Sequence, residues 1–240
     1  MKHPFRFHIL PVFTLGAGGL GFALRLWLFS ATDEKGLLPA GHIAGTLLFL
    51  LSAIVLGILF LATRKPEARP VNKTVLRRCH LAAGLLGFIG LVFNALSNIL
   101  GSTSKLAIPA VVLSIAGAAA MLWMGILGFR VKKIPYPLNA VLTVALMVET
   151  VAQCQVWGAE PQLQVYFFPL MASVFLVLAA YQKTALLAGE GKRTLLAFFS
   201  QAAAFFCCLS FNSVHAVFYV GLFLWAAMQV CIPLPRKKEA

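Results

Sequence analysis

Eight runs of mostly apolar residues, each long enough to cross a bilayer, follow one another along this 240-residue chain. A transmembrane helix needs about 20 such residues, and lipid admits only helices or closed barrels because it offers the backbone no hydrogen-bond partner. The runs lack the alternation of barrel strands. We therefore predict an all-α, polytopic helical bundle in which residues 1–240 form a single transmembrane domain. The predicted spans are about 7–30, 42–63, 81–100, 106–129, 138–157, 162–182, 194–212 and 214–232.

The composition excludes a soluble domain. The chain is 60% hydrophobic and 11% charged, whereas soluble domains have about 45–50% apolar and about 25% charged residues. The first run follows a basic segment, as a signal peptide would, but it is longer than the roughly 7–15 apolar residues of a signal core and it carries Arg25. We interpret it as a retained span. The last two runs are separated only by residues 211–213, so a single broken hairpin is the alternative there.

The distribution of basic residues predicts the orientation. With eight spans, seventeen of the 20 lysine and arginine residues lie on the side that holds both termini. Basic residues concentrate on the cytoplasmic side of membrane proteins, so both termini are predicted to be cytoplasmic. The formal charge of +13 is then a consequence of topology and indicates no nucleic-acid partner. The basic loop 64–80 suggests contact with anionic lipid at the cytoplasmic face.

Several polar residues lie inside the predicted spans, where an ionisable side chain costs a few kcal/mol and usually faces protein or water. Three pairs are four residues apart, which places both members of each pair on one helix face. These pairs are Asn94 with Asn98, Glu149 with Gln153, and His215 with Tyr219. All fall between the midplane and the outer surface, whereas the inner halves carry fewer polar residues. The candidate residues for binding a substrate or coupling an ion are Arg25, Asn94, Asn98, Glu149, Gln153, His215 and Tyr219.

This bias in depth predicts an outward-facing polar pocket beneath the acidic loop residues Asp33 and Glu34. Glu149 is either a functional carboxyl or a structural partner of Arg25. We expect Arg25 to be tolerated because a carboxylate, from Glu149 or from the loop, lies close by. The blander alternatives are hydrogen bonds between helices for the asparagines and positions at the membrane interface for His215 and Tyr219.

No motif identifies an enzyme, a metal site or a cofactor site. The five histidines are scattered, the five cysteines form no C-x-x-C pair, and no phosphate-binding loop occurs. We predict no metal and no cofactor.

We predict that the protein binds or transports a small solute through the outward-facing pocket. One alternative is a membrane-embedded enzyme that acts on a lipid or an isoprenoid. Another is a non-catalytic subunit or sensor that assembles with a partner membrane protein. The predicted location is the cell membrane, since compact basic proteins of this composition are usual in bacterial plasma membranes.

Overall fold

The computed structural model describes residues 9–31, 42–64, 73–101, 106–130, 133–157, 163–211 and 215–231. Within these ranges the chain forms eight α-helices and a short 3-10 turn at Gln229–Cys231, and the predicted all-α bundle is confirmed. The helices are α1 Ile9–Ser30, α2 Ile43–Thr63, α3 Lys73–Gly101, α4 Ala107–Phe129, α5 Tyr136–Trp157, α6 Leu163–Ala188, α7 Arg193–Leu209 and α8 Ala216–Met228.

Six helices, α1 to α6, are long and apolar enough to cross a membrane, while α7 and α8 are shorter apolar helices. Large apolar side chains such as Val12, Leu61, Leu100 and Ile108 are exposed on the outside of the bundle. A continuous apolar surface of this kind is suited to lipid rather than to water. The chain is therefore an integral, multi-pass membrane protein in contact with the bilayer.

Contacts between helices fix their relative directions. Thr14, near the start of α1, donates a hydrogen bond to Gln201 of α7 at 2.9 Å, and Gln201 donates to the carbonyl of Ala227 at the end of α8 at 3.1 Å. Arg25, near the end of α1, donates to the carbonyl of Leu209 at the end of α7. Helices α1 and α7 are thus parallel, and α8 ends where α1 begins. Following the predicted orientation, we call that end of the bundle inner and the opposite end outer.

Helix α7 is short because it lies inside the bundle. It packs against α1, α2, α6 and α8, and every residue from 200 to 210 is buried. A helix without a lipid-facing side need not match the thickness of the hydrocarbon. Helix α3 packs mainly against α4 and α8, which places it beside the same core.

Two helices extend beyond the predicted spans. Helix α3 begins at Lys73 instead of residue 81, and its first turns are largely exposed. Helix α6 continues past residue 182 to Ala188, where Gly189 adopts a φ of 96°. The backbone N–H of Gly189 donates to the carbonyl of Leu186, and that of Glu190 donates to the carbonyl of Ala185. This is the glycine-terminated helix end known as the Schellman motif. Because α6 is longer, Lys183 lies on the helix and not in a loop.

Small residues allow the closest helix contacts. A Cβ atom at Gly84 of α3 would lie 2.7 Å from the Cα of Gly125 on α4. No real side chain tolerates that separation from a backbone atom, so the two helices approach this closely only because both residues lack a side chain.

Replacing Gly84 by alanine should therefore destabilise the bundle by about 1–3 kcal/mol, the usual cost of an overpacked core. Gly57→Ala is the matched control, since the space around a Cβ at Gly57 in α2 is open. Reversible unfolding of the purified protein in micelles measures both variants. Equal stability of the two would contradict the contact described between α3 and α4.

Candidate functional site

The carboxyl group of Glu149 lies at the centre of a buried hydrogen-bond network. Its side chain is only 1% exposed. The amide nitrogen of Asn98 on α3 donates to Oε2 at 2.9 Å, and the hydroxyl of Ser114 on α4 lies 3.4 Å from the same oxygen. On α5, one turn further along, the amide nitrogen of Gln153 donates to Oε1 at 3.0 Å. Three helices therefore supply donors to one carboxyl group.

Gln153 extends the network to two more helices. Its side-chain oxygen accepts a hydrogen bond from the hydroxyl of Ser173 on α6 at 3.2 Å. The hydroxyl of Tyr219 on α8 lies 3.1 Å from that of Ser173 and donates to the carbonyl of Pro169 at 3.0 Å. We call this network the outer polar cluster. Its members are Asn94, Asn98, Ser114, Glu149, Gln153, Ser173 and Tyr219.

Asn94 is the one member without a well-formed hydrogen bond in the part of the chain that the structure describes. It is 2% exposed, and its side-chain amide lies close enough to the Glu149 carboxyl to interact with it, but neither its nitrogen nor its oxygen has a partner at hydrogen-bond geometry. An unsatisfied buried amide costs about 1–3 kcal/mol. The side-chain oxygen of Asn94 is thus an acceptor without a partner beside the Glu149 carboxyl.

The sequence brings these groups together through helical spacing and small residues. Asn94 and Asn98 share a face of α3 because they are four residues apart, as Glu149 and Gln153 are on α5. A Cβ atom at Gly117 of α4 would lie 2.8 Å from the Cβ of Ala145 on α5. Helices α4 and α5 therefore approach closely about one turn to the inner side of the Ser114 contact with Glu149.

Arg25 does not form the predicted ion pair with Glu149, and no described cation does. Arg25 is buried and donates to the carbonyl of Leu209, where α7 ends. Its guanidinium also lies 5.3 Å from the ring centroid of Phe29 and 5.9 Å from that of Phe168. The carbonyl end of a helix dipole and aromatic faces both stabilise a cation. The acidic residues Asp33 and Glu34 lie outside the described residues.

Five of the seven predicted residues, namely Asn94, Asn98, Glu149, Gln153 and Tyr219, belong to the outer polar cluster. Arg25 and His215 do not donate hydrogen bonds to Glu149. His215 occupies the N-cap position of α8, one turn before Tyr219. The roles of these residues in binding remain predictions.

Ser114 and Ser173 were not predicted from the sequence. Serine is common in membrane helices, where it often bonds to its own backbone, so its position alone is a weak signal. Only the packing of α4 and α6 against α5 identifies the two hydroxyls as members. In the described ranges no three histidine, cysteine, aspartate or glutamate side chains lie together as a metal site would require.

Comparisons of the chain with protein-family models, with curated proteins and with solved structures find no match. Function is therefore inferred from the geometry of the outer polar cluster.

The Tyr219 hydroxyl offers a test of this geometry. Tyr219→Phe removes one hydroxyl that bonds to Ser173 and to the carbonyl of Pro169, and should cost about 0.5–1.5 kcal/mol of unfolding free energy. Tyr181→Phe is the matched control, because Tyr181 is exposed on the same bundle. Unfolding in micelles measures both. A loss for Tyr181→Phe as large as for Tyr219→Phe would show that the buried hydroxyl has no special contribution.

Proposed function

We propose that the protein binds a small cation, or a small solute with a positively charged group, at the outer polar cluster and moves it across the membrane. One observation carries this proposal. Among the described residues the Glu149 carboxyl is buried with only neutral donors around it, and the unpartnered side-chain oxygen of Asn94 lies beside it.

The electrostatics of the cluster favour a positive ligand. A carboxylate in a medium of low dielectric constant is unstable without a counter-charge or a proton. The amide and hydroxyl donors compensate part of that cost, but none brings a full positive charge. A bound cation would supply it, and the side-chain oxygens of Glu149 and Asn94 are ligands that ammonium groups and alkali cations accept. The enclosed setting limits the ligand to a small one.

The position of the cluster supports movement of the ligand. Five helices contribute to it, so a ligand that binds more tightly in one arrangement of the helices would shift the balance between arrangements. Pro169 lies inside α6 and cannot donate the backbone hydrogen bond of a regular helix. Because Tyr219 donates to the carbonyl of this proline, the cluster contacts the turn of α6 that lacks a backbone hydrogen bond and can bend at the lowest cost.

Apolar residues separate the cluster from the inner end. Buried leucines follow the polar residues on the inner side of four of the five helices: Leu91 on α3, Leu146 on α5, Leu176 on α6 and Leu222 on α8. With the predicted orientation, this layer closes the cluster toward the cytoplasm. Transport would require the layer to open while the outer side closes.

Binding is tested with Na⁺, K⁺, ammonium and guanidinium as probes, each at the same ionic strength with N-methylglucamine as the reference cation. A ligand at 100 times its Kd raises the unfolding free energy by about 2.7 kcal/mol. We expect at least one probe to stabilise the parent protein in lipid nanodiscs. Glu149→Gln should abolish that stabilisation and Asn94→Leu should reduce it. Glu190→Gln, the same change at an exposed turn residue, should leave it intact.

Transport is tested in proteoliposomes with the probe that binds, by following its uptake into the lumen. Uptake by the parent and by Glu190→Gln, but not by Glu149→Gln, supports the proposal. If no probe stabilises the parent, or if Glu149→Gln responds as the parent does, the proposed cation site is wrong. Binding without uptake would restrict the function to binding.

A further inference from the structure

A second buried site lies at the inner end of the bundle, on the far side of the leucine layer. A cleft lies between α3, α4, α6 and α8, and its interior has room for about one water molecule. Its polar lining comes from His80, Lys183, Trp225 and Gln229. The cleft therefore admits one oxygen atom of a small polar group that enters from the open side, and not a large solute.

Lys183 gives this cleft a positive charge. The side chain is 3% exposed, and its ammonium nitrogen lies 5.1 Å from the ring centroid of Trp225. Among the described residues no hydrogen bond or ion pair joins that nitrogen to an acceptor. A lysine near the end of a membrane helix usually extends toward the headgroups. Here it is directed into the bundle, where its charge is compensated only by an aromatic face.

Trp225 adds a second group that can only donate. It is 4% exposed, and its indole nitrogen is buried without an acceptor in the described part of the chain. Gln229 donates to the backbone carbonyl of Trp225 at 2.7 Å, which fixes the last turn of α8 against the cleft. Neither an ammonium nor an indole N–H can accept a hydrogen bond. Within the described residues, neither the Lys183 ammonium nor the Trp225 indole N–H donates to an acceptor.

A neighbouring cleft strengthens the positive character of this end. It is equally narrow and is lined by Arg193, Leu196 and Gln229, among others. Gln229 thus borders both clefts, with Arg193 on one side and Lys183 on the other. Two cations therefore lie at this end of the bundle, one in each cleft.

From this arrangement we infer that the inner cleft binds one oxyanion group, a phosphate or a carboxylate, with Lys183 as its counter-charge and the Trp225 indole N–H as a neutral donor. Such a group has two sources with the same chemistry: the phosphate of an anionic lipid in the adjacent leaflet, or a soluble ion. This site has the opposite charge preference to the outer polar cluster and does not depend on the function proposed there.

Two measurements on the full-length protein distinguish the sources. The first follows thermal unfolding of delipidated protein as sodium phosphate replaces sodium chloride at constant ionic strength. The second uses native mass spectrometry to compare retention of phosphatidylglycerol with that of phosphatidylcholine. We expect stabilisation by phosphate, preferential retention of phosphatidylglycerol, or both.

The lysine and tryptophan variants locate the site. Lys183→Met should weaken binding by about tenfold or more, the effect of losing a charge-assisted hydrogen bond. Lys192→Met should bind as the parent does, because Lys192 is exposed at the start of α7. Trp225→Phe keeps an aromatic face under Lys183 but removes the donor, and should weaken binding less. Trp123→Phe, at an exposed position on α4, is its control.

Phosphate stabilisation alone identifies a soluble oxyanion, and preferential lipid retention alone identifies a headgroup. The inference is overturned if neither occurs, or if Lys183→Met and Trp225→Phe, both shown to be folded by their unfolding transitions, bind as tightly as the parent.

Discussion

The hydrogen bonds to the Glu149 carboxyl are the interaction on which the packing at the outer end of this bundle depends. Hydrocarbon gives a carboxyl group no partner, so every stabilising contact must come from the protein. Asn98, Ser114 and Gln153 supply three such contacts from α3, α4 and α5. Gln153 then connects the carboxyl to α6 and α8 through Ser173 and Tyr219. One acidic residue thereby lies in a hydrogen-bond network that links five helices at the outer end.

The same constraint explains the charges elsewhere in the bundle. Arg25 is stabilised by the carbonyl end of α7 and by two aromatic rings, and Lys183 by the face of Trp225. Among the described residues neither cation forms an ion pair with Glu149. The bundle keeps Glu149 of α5 and Lys183 of α6 at different depths, with buried leucines between the two levels. The proposed cation and oxyanion sites correspond to these two levels.

The sequence predicted the helical bundle because long apolar runs permit almost nothing else in a membrane. It also predicted the group of Asn94, Asn98, Glu149, Gln153 and Tyr219, since spacing and depth along a helix are readable from residue numbers. The group on another helix that a given side chain contacts could not be predicted in this way. Arg25 was paired with Glu149 or with the acidic loop because charge suggested it. Glu149 is not its partner, since the packing of α1 against α7 brings it to the carbonyl of Leu209, and the acidic loop lies outside the described residues. Lys183 was assigned to a loop because hydropathy falls at the first cation, although Gly189 marks the true end of α6.

Double-mutant cycles on the unfolding free energy test the central claim most directly. They combine Glu149→Gln with Asn98→Leu in one cycle and with Arg25→Leu in the other. Residues in one hydrogen-bond network show coupling of about 0.5–3 kcal/mol, and independent residues add within about 0.3–0.5 kcal/mol. We predict clear coupling between Glu149 and Asn98 and a smaller value between Glu149 and Arg25. Strong coupling to Arg25 with none to Asn98 would contradict the account, because the carboxyl would then depend on an ion pair.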